Sequence, residues 1–323
     1  MDRRNFMVLG AVSLAATRLA HAQAGFPNRP VTLVSPWAPG GANDLLARLI
    51  AKEAAAALGQ SVIVENRPGA SGVIGTAYVA RAKPDGYTLT LGSTPNYTTA
   101  PFLYAQLPYD AARDFVPVIG VATVPNVLVV TPSLPVRSVQ ELVAYAKAHP
   151  GTLSYSSVGK GSTQHLAAQL FETMTDTDMI HVPYKGSAPA MQDLLAGRVS
   201  LSFENLPPLL PFIRSGALRA LAVTSTEEIA QLPGVPTVAA SGLPGFSAIV
   251  WYAVFAPAGT PPDALKRLHD AIAGLLRKPE VVAQMAGVGA LPLGNGAAEM
   301  AAYIRADTVK WGGVIRAAGI TPE

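Results

Sequence analysis

The sequence contains no cysteine. This absence excludes disulfides, thiol nucleophiles, cysteine-ligated iron–sulfur clusters and attachment to a lipid through an N-terminal cysteine. Charged residues are scarce as well: they make up 14% of the chain, against 50% apolar residues, so the chain has ample material for a buried core. After the first 24 residues no segment contains 18 consecutive apolar residues, and we therefore expect no membrane-spanning helix there.

The first 24 residues have the features of an export signal. Arg3 and Arg4 precede an apolar run at 7–16, and alanines at the end of the segment offer small-x-small cleavage sites. The run is too short for a bilayer, which needs about 20 apolar residues. The adjacent arginines favour the twin-arginine route, although the flanking residues depart from the usual motif and leave the general route open. The mature protein is predicted to be periplasmic.

Cleavage after residue 24 would leave 299 residues with 21 basic and 20 acidic side chains, a net charge of +1. This balance lacks the basic excess that nucleic-acid binding requires, so no nucleic-acid partner is expected. The length favours two domains over one. We expect the protein to be a monomer.

Runs rich in Val, Leu, Ile and Thr recur along the chain, and most are followed by a loop and a stretch with helical periodicity. This alternation predicts an α/β fold with parallel sheets. Two long apolar segments, 115–130 with an interruption at Pro125 and 246–257, are predicted to cross between two lobes. The last helix is predicted to bend at Gly312 and Gly313.

The crossing segments define the expected lobes. The first lobe should comprise residues 25–124 and 249–323, and the second lobe residues 125–248. The C-terminal helices are expected to fold back on the first lobe.

Ligands of open α/β sheets bind beyond the carboxyl ends of the strands. The predicted strand ends carry loops of small and hydroxyl residues: PGGAND at 39–44, GSTPNY at 92–97, GKGST at 159–163, PYKGSA at 183–188 and ENLPP at 204–208. Such loops present free backbone N–H groups at helix N-termini, where the helix dipole favours an anion. The sequence therefore predicts an anionic ligand.

The GKGST loop illustrates the expected geometry. Gly159 and Gly161 let the backbone approach a ligand closely, and Ser162 is a suitable N-cap. The N–H groups of Thr163 and Gln164 would then point into the cleft. The loop at 39–44 offers a similar arrangement from the first lobe.

Other chemistries fit these residues less well. Lys160 is followed by glycine, so the loop is not a phosphate-binding P-loop, and the chain has no G-x-S-x-G nucleophile elbow. Ser162 and His165 could be imagined as nucleophile and base of a periplasmic hydrolase, but no acid is placed to orient the histidine. The histidines lack metal-ligand spacing, and neither a metal nor a cofactor is predicted. Lys185 is the one cation among the candidate loops apart from Lys160.

Stretches in order along nearly the whole mature chain, among them PGGANDLLARL, VIVENRPGASGVIG, GSTQHLAAQLF and HVPYKGSAPAMQDLLAGRVSLSFENLP, resemble the substrate-binding proteins of tripartite tricarboxylate transporters. The resemblance implies a type II periplasmic-binding fold, with two lobes joined by crossing strands and a ligand cleft between them. It implies that backbone groups of residues 40–42 hold one carboxylate and that the loop at 161–163 holds the other end of the ligand. Trp37 stands where a smaller aromatic is common, and Glu204 where Asp is common.

We therefore predict a non-enzymatic receptor that captures a small organic carboxylate and delivers it to the membrane permease subunits of a tripartite transporter. A sensory protein that presents its ligand to a membrane kinase is the alternative, and the Ser162/His165 hydrolase is a weaker one. Which carboxylate binds is left open. The candidate ligand-binding residues are Trp37, Pro39, Gly40, Gly41, Ala42, Asp44, Thr94, Asn96, Ser156, Gly161, Ser162, Thr163, His165, Tyr184, Lys185, Gly186 and Asn205.

Overall fold

The structure is a computed structural model that describes residues 25–322, so the predicted export signal lies outside the described residues. The elements up to residue 130 are β1 (Val31–Ser35), α1 (Ala42–Leu58), β2 (Val62–Asn66), a 3₁₀ turn (Ala70–Gly72), α2 (Val73–Ala80), β3 (Thr88–Ser93), a π-helical turn (Pro95–Thr99), α3 (Ala100–Leu103) and β4 (Phe115–Val130). The GSTPNY segment, predicted as a loop, thus leads directly into helical turns.

The remaining elements repeat the alternation. They are α4 (Val139–Ala148), β5 (Ser154–Ser157), α5 (Thr163–Thr175), β6 (Ile180–Pro183), α6 (Ser187–Leu195), β7 (Leu201–Asn205), α7 (Leu206–Arg214), β8 (Arg219–Val223), β9 (Ile249–Pro257), α8 (Pro262–Leu275), α9 (Pro279–Gly287), β10 (Leu291–Pro292) and α10 (Ala297–Ala317). No helix within 25–322 is long and apolar enough to cross a membrane.

Strand pairing divides the molecule into two lobes. In the first lobe β1 lies between β2 and β3 and pairs with both in parallel, and in the second lobe β5 pairs in parallel with β6 and β7. The strands β4, β8, β9 and β10 pair antiparallel with their neighbours. The predicted parallel pairing is thus present in each lobe, and the antiparallel pairs lie where the two long segments run in opposite directions along the chain.

The strand β4 joins the two lobes. Residues 115–125 pair with β9 in the first lobe, and residues 126–130 pair with β7 and β8 in the second. The strand is continuous through Pro125, so the predicted interruption is not present. Proline cannot donate to a strand ladder, and Pro125 stands where β4 changes partners, so the missing N–H disrupts neither ladder in its interior.

Each lobe has its own apolar core. In the first lobe Leu33, Ile50 and Val254 are among the buried residues that pack between the sheet and the helices α1 and α8. In the second lobe Tyr155 and Phe203 belong to a corresponding cluster. The separate cores explain why the strand ends of both lobes can face a common cleft.

The helix α10 runs without a break through Gly312 and Gly313. Gly312 has a packing role: a Cβ atom there would lie 2.7 Å from Cζ of the Phe102 ring, so the glycine permits close packing. Met300 packs in the first lobe, whereas Trp311 belongs to the core cluster of the second. The helices α8 and α9 and the first half of α10 therefore pack on the first lobe as expected, whereas the end of α10 packs on the second.

Candidate functional site

A narrow cavity of about 30 Å³ lies between the lobes, at the carboxyl ends of β1, β3, β5 and β7. All five predicted loops contribute to its wall. The lining residues are Trp37, Ala38, Gly41, Ala42, Asn43, Ser93, Pro95, Val158, Thr163, Gln164, Gly186, Ser187, Asn205, Val250 and Tyr252. None of these residues carries a charged side chain at neutral pH. Recognition in this cavity must therefore depend on backbone groups, hydroxyls and amides.

Helix N-termini point their first turns at the cavity from both lobes. The helix α1 begins after Gly41, and α5 begins at Thr163 on the opposite wall. The helices α6 and α7 add Ser187 and the N-cap residue Asn205. The first N–H groups of a helix have no intrahelical acceptor, and the helix dipole places partial positive charge there. The cavity is therefore suited to an anion although no cationic side chain lines it.

The start of α5 has the predicted cap. Ser162 is extended, with φ −63° and ψ 157°, and its Oγ accepts a hydrogen bond from the His165 N–H at 3.3 Å. Thr163 and Gln164 precede that bond, and both line the cavity. The structure thus leaves the donors of these two residues at the wall of the cleft, as the sequence predicted.

The loop before α1 is organised by Asp44. Its Oδ2 accepts hydrogen bonds from the Gly40 N–H and from Arg48 Nε, both at 3.0 Å, and its Oδ1 accepts one from Asn66 at 2.9 Å. Burial opposes the ionisation of Asp44, but these hydrogen bonds outweigh it and lower the pKa. Pro39 and Gly40 are exposed. The Gly40 donor is thus engaged by Asp44, and Gly41 to Asn43 line the cavity, so the binding of a ligand carboxylate by Gly40 stays a prediction.

Three further candidates are buried behind the wall. The Thr94 hydroxyl oxygen accepts a hydrogen bond from the Trp251 N–H at 3.3 Å, and Asn96 Oδ1 accepts one from the Ser93 hydroxyl at 2.9 Å. Ser156 is buried within β5. These residues support the neighbours that line the cavity, such as Ser93, and do not line it themselves.

The geometry of Ser162 and His165 does not suit a nucleophile and base. The Nδ1 atom of His165 accepts a hydrogen bond from the Gly161 N–H at 3.2 Å, and the Ser162 hydroxyl is used as the helix cap. Burial, with His181 and Lys160 nearby, lowers the pKa of His165 to about 3. Gly161, Ser162 and His165 are buried behind Thr163. Within 25–322, no group of three His, Asp or Glu side chains is arranged to hold a metal ion.

A second, outer cavity of about 480 Å³ adjoins the first and shares Trp37, Ala38 and Val158 with it. Tyr184 and Lys185 line this outer cavity and not the inner one. The Tyr184 hydroxyl donates to Asp193 Oδ2 at 2.8 Å, whereas Lys185 is exposed. Among the described residues, Lys185 is the one cationic side chain that lines either cavity.

The two lobes touch across the cleft. The Ser71 hydroxyl donates to the Lys160 carbonyl at 2.9 Å, and the Thr99 hydroxyl donates to the Gly161 carbonyl at 3.1 Å. A Cβ atom at Gly186 would lie 2.8 Å from Cβ of Ala38. The structure therefore shows the lobes closed on one another.

Several lining residues were not in the list of candidates. The backbone N–H of Gln164 was expected at the cleft, and Asn43 could have been found by the same rule that the first helical turn has free donors. Ser187 follows Gly186 in the same way. Tyr252 could not be found from loops, because it lies in the middle of β9 and enters the site through its pairing with Ser93 of β3.

The fold and the cleft define a two-lobed α/β solute-binding protein. A sequence model of the family described as "Tripartite tricarboxylate transporter family receptor" matches residues 46–320. The chain belongs to this family, as its sequence motifs predicted.

Individual relatives agree with this assignment. The "Protein BugT" of Bordetella pertussis is 41% identical over 299 residues, which cover 91% of this chain and 90% of BugT. The structure described as "R. palustris Rpa4515 with adipate" is 42% identical, covers 92% of this chain and 100% of its own, and superposes with a TM-score of 0.90. "MatC (Rpa3494) from Rhodopseudomonas palustris with bound malate" is 32% identical, with 90% and 100% coverage and a TM-score of 0.85. These matches confirm the predicted fold of two lobes with a ligand cleft.

Proposed function

We propose that this protein is a receptor that captures a small organic carboxylate in the inner cavity and has no enzymatic activity. The observation that carries the proposal is the convergence of helix N-termini from both lobes on a cavity lined by neutral residues. Free N–H donors of Gly41 to Asn43 would bind the ligand from one side, and those of Thr163 and Gln164 from the other. A ligand held in this way bridges the lobes and stabilises the closed form.

The inner cavity, about 30 Å³ in this closed form, is smaller than the usual range of about 300–1,000 Å³ for small-molecule sites, whereas the adjoining outer cavity of about 480 Å³ lies within it. A bound acid would therefore need the lobes to open or would use both cavities. The related structures with adipate and with malate indicate that linear dicarboxylates are suitable first ligands to test. A ligand longer than the inner cavity would extend past Trp37 toward Tyr184 and Lys185.

We further propose that the receptor acts in the periplasm as a monomer and delivers its ligand to the membrane subunits of a tripartite transporter. Family membership supports this role. The predicted signal at residues 1–24 would direct export, and the Arg3/Arg4 pair favours the twin-arginine route. Replacing both arginines by lysine should block processing; unchanged processing would show that the general route is used.

A thermal-shift screen of the mature chain against adipate, malate, succinate, benzoate, glucose and putrescine tests the proposed function. A ligand at 100 times its dissociation constant should stabilise the protein by about 2.7 kcal/mol. Stabilisation by one or more of the acids, with none by the sugar or the diamine, is expected. Stabilisation by putrescine or glucose alone would contradict the assignment.

A further inference from the structure

Glu204 is a buried acid beside the inner cavity that the proposed function does not yet use. It lies in β7 directly before the last residue of that strand, the lining residue Asn205, and it is 1% exposed. Its Oε1 atom accepts hydrogen bonds from Gln164 Nε2 at 2.8 Å, from the Asn205 N–H at 2.9 Å and from the Ser187 hydroxyl at 3.4 Å. All three donor residues line the cavity. The glutamate therefore lies directly behind the wall that would hold the ligand.

The hydrogen bonds to Glu204 are asymmetric. All three end on Oε1, and such donors stabilise an ionised carboxylate as well as the carbonyl oxygen of a neutral acid. The Oε2 atom has no hydrogen-bond partner among the described residues. A buried ionised carboxylate normally needs a cation or donors on both oxygens, because the loss of hydration is otherwise uncompensated. Burial without a cation, and not the hydrogen bonds, therefore favours the protonated form.

Within residues 25–322, no cationic side chain in the surroundings stabilises an ionised Glu204. From β9, Tyr252 faces it and donates to Asn205 Oδ1 at 3.2 Å. On β4 its pairing partner is Val127, and the preceding Asn126 accepts a hydrogen bond from Asn205. The titratable group of α5 near this end, His165, packs against His181 with tilted rings whose centroids are 4.3 Å apart.

The charged groups of the other neighbouring helices are also engaged elsewhere or distant. On α6, Asp193 pairs with Arg198, and Lys185, which precedes α6, is exposed. Arg214 lies at the exposed far end of α7. Burial raises the pKa of Glu204, and the three hydrogen bonds only partly oppose this effect.

We infer that Glu204 binds a proton in the carboxylate-loaded receptor, so that capture of the anion is coupled to proton binding. An ionised Glu204 would place a negative charge behind the residues that hold the ligand carboxylate, and the two charges would repel each other. Protonation removes this repulsion and leaves Gln164, Ser187 and the Asn205 N–H in place. Glu204 thus acts as a positioning residue that sets the protonation-dependent affinity of the site. This inference rests on the proposed function.

The coupling has a definite sign. Binding of an anion favours the protonated form, so affinity should be constant below the pKa of Glu204 in the free protein. Above that pKa, affinity should fall by about tenfold per pH unit, and about one proton should be taken up for each ligand bound.

Calorimetric titration with adipate and with malate between pH 6 and pH 9 tests the inference. At each pH the titration is performed in two buffers with different ionisation enthalpies, which yields the number of protons taken up. The expected results for the parent protein are a falling affinity and an uptake that approaches one proton. For Glu204→Gln, which keeps the shape and an acceptor oxygen, we expect an affinity independent of pH and no proton uptake.

A matched control distinguishes Glu204 from other glutamates. Burial raises the pKa of Glu172, near the far end of α5, to about 7, and its carboxylate accepts the Met179 N–H at 2.7 Å. Glu172→Gln should leave the pH dependence of binding unchanged. If Glu204→Gln does not fold, the proton count of the parent protein decides, because it requires no variant.

The outcomes separate the two proposals. Binding of either acid with constant affinity and no proton uptake in the parent protein would overturn the coupling but leave the receptor function intact. Preference for an amine, lost in Glu204→Gln, would show that Glu204 is ionised and would also overturn it. Absence of binding by either acid at every pH, with no acid active in the screen above, would contradict the receptor function itself.

Discussion

Thr163 is the residue at which backbone recognition can be tested most sharply. It is the first residue of α5, and the Ser162 cap before it is already extended. Proline is tolerated at this position because its φ suits the helix and its missing N–H had no helical partner. Proline also pushes the preceding residue toward the extended conformation that Ser162 already has.

We predict that Thr163→Pro folds but binds the carboxylate about 10- to 100-fold more weakly, because a hydrogen bond to a charged group contributes roughly 1.5–3 kcal/mol. Calorimetry beside a melting curve measures both effects. The matched control is Ala297→Pro, which changes the exposed first residue of α10 after the extended Gly296. Equal affinities of the two variants would refute the role of the α5 N-terminus.

Trp37 should report ligand binding. It is partly exposed and lines both cavities, whereas Trp251 and Trp311 are fully buried. We predict that ligand binding changes the tryptophan fluorescence and that Trp37→Phe removes most of this change. A signal of unchanged size in Trp37→Phe would mean that one of the buried tryptophans responds to the ligand.

At the scale of the elements, the second lobe contains a pair of histidines beside the α5 N-terminus, the buried His165 and the half-buried His181. Burial, with smaller contributions from His181 and Lys160, lowers the pKa of His165 to about 3, and burial lowers that of His181 to about 4. Both folded values lie below the usual value of about 6.5. The unfolded chain therefore binds more protons than the folded one between pH 6.5 and about 4, so stability is full above pH 6.5 and falls as the pH decreases.

We predict that His165→Asn, which keeps an acceptor for the Gly161 N–H, weakens this acid dependence. The slope of the unfolding free energy against pH should decrease by at most about 1.4 kcal/mol per pH unit over the same range. Glu172 has the opposite effect, since its raised pKa of about 7 makes the folded state take up a proton on acidification. Urea unfolding of the variants Glu172→Gln and Glu172→Gln/His165→Asn from pH 7 to pH 4 separates the contributions; equal pH slopes would contradict the prediction.

Local patterns predicted most elements because strand and helix periodicities are properties of short segments. The start of α5 and its cap followed from Gly161, Ser162 and the apolar spacing after them. Elements shaped by distant partners were not predictable in this way. Pro125 was expected to interrupt a strand, but it lies where β4 exchanges partners, and Gly312, which was expected to bend a helix, accommodates Phe102.

For the molecule as a whole, the same distinction between local patterns and distant contacts explains which parts of the site could be predicted. The loops that meet at the cleft were predicted, since the carboxyl ends of parallel strands meet at one edge. The hydrogen-bond partner of each backbone donor was not predictable, because the Gly40 N–H donates to Asp44 only in the folded loop. Tyr252 enters from a strand that pairs across the sheet. The positions of the lobe boundaries at 124/125 and 248/249 stay a prediction.

The central claim is that helix N-termini of both lobes hold one carboxylate ligand. A crystal structure of the mature chain grown with adipate tests it most directly. We predict a carboxylate oxygen within about 2.7–3.2 Å of the N–H of Thr163 or Gln164, and another ligand oxygen at the same distance from an N–H among residues 41–43, directly or through one water. Adipate bound only in the outer cavity at Lys185, with neither helix N-terminus in contact, would contradict the account.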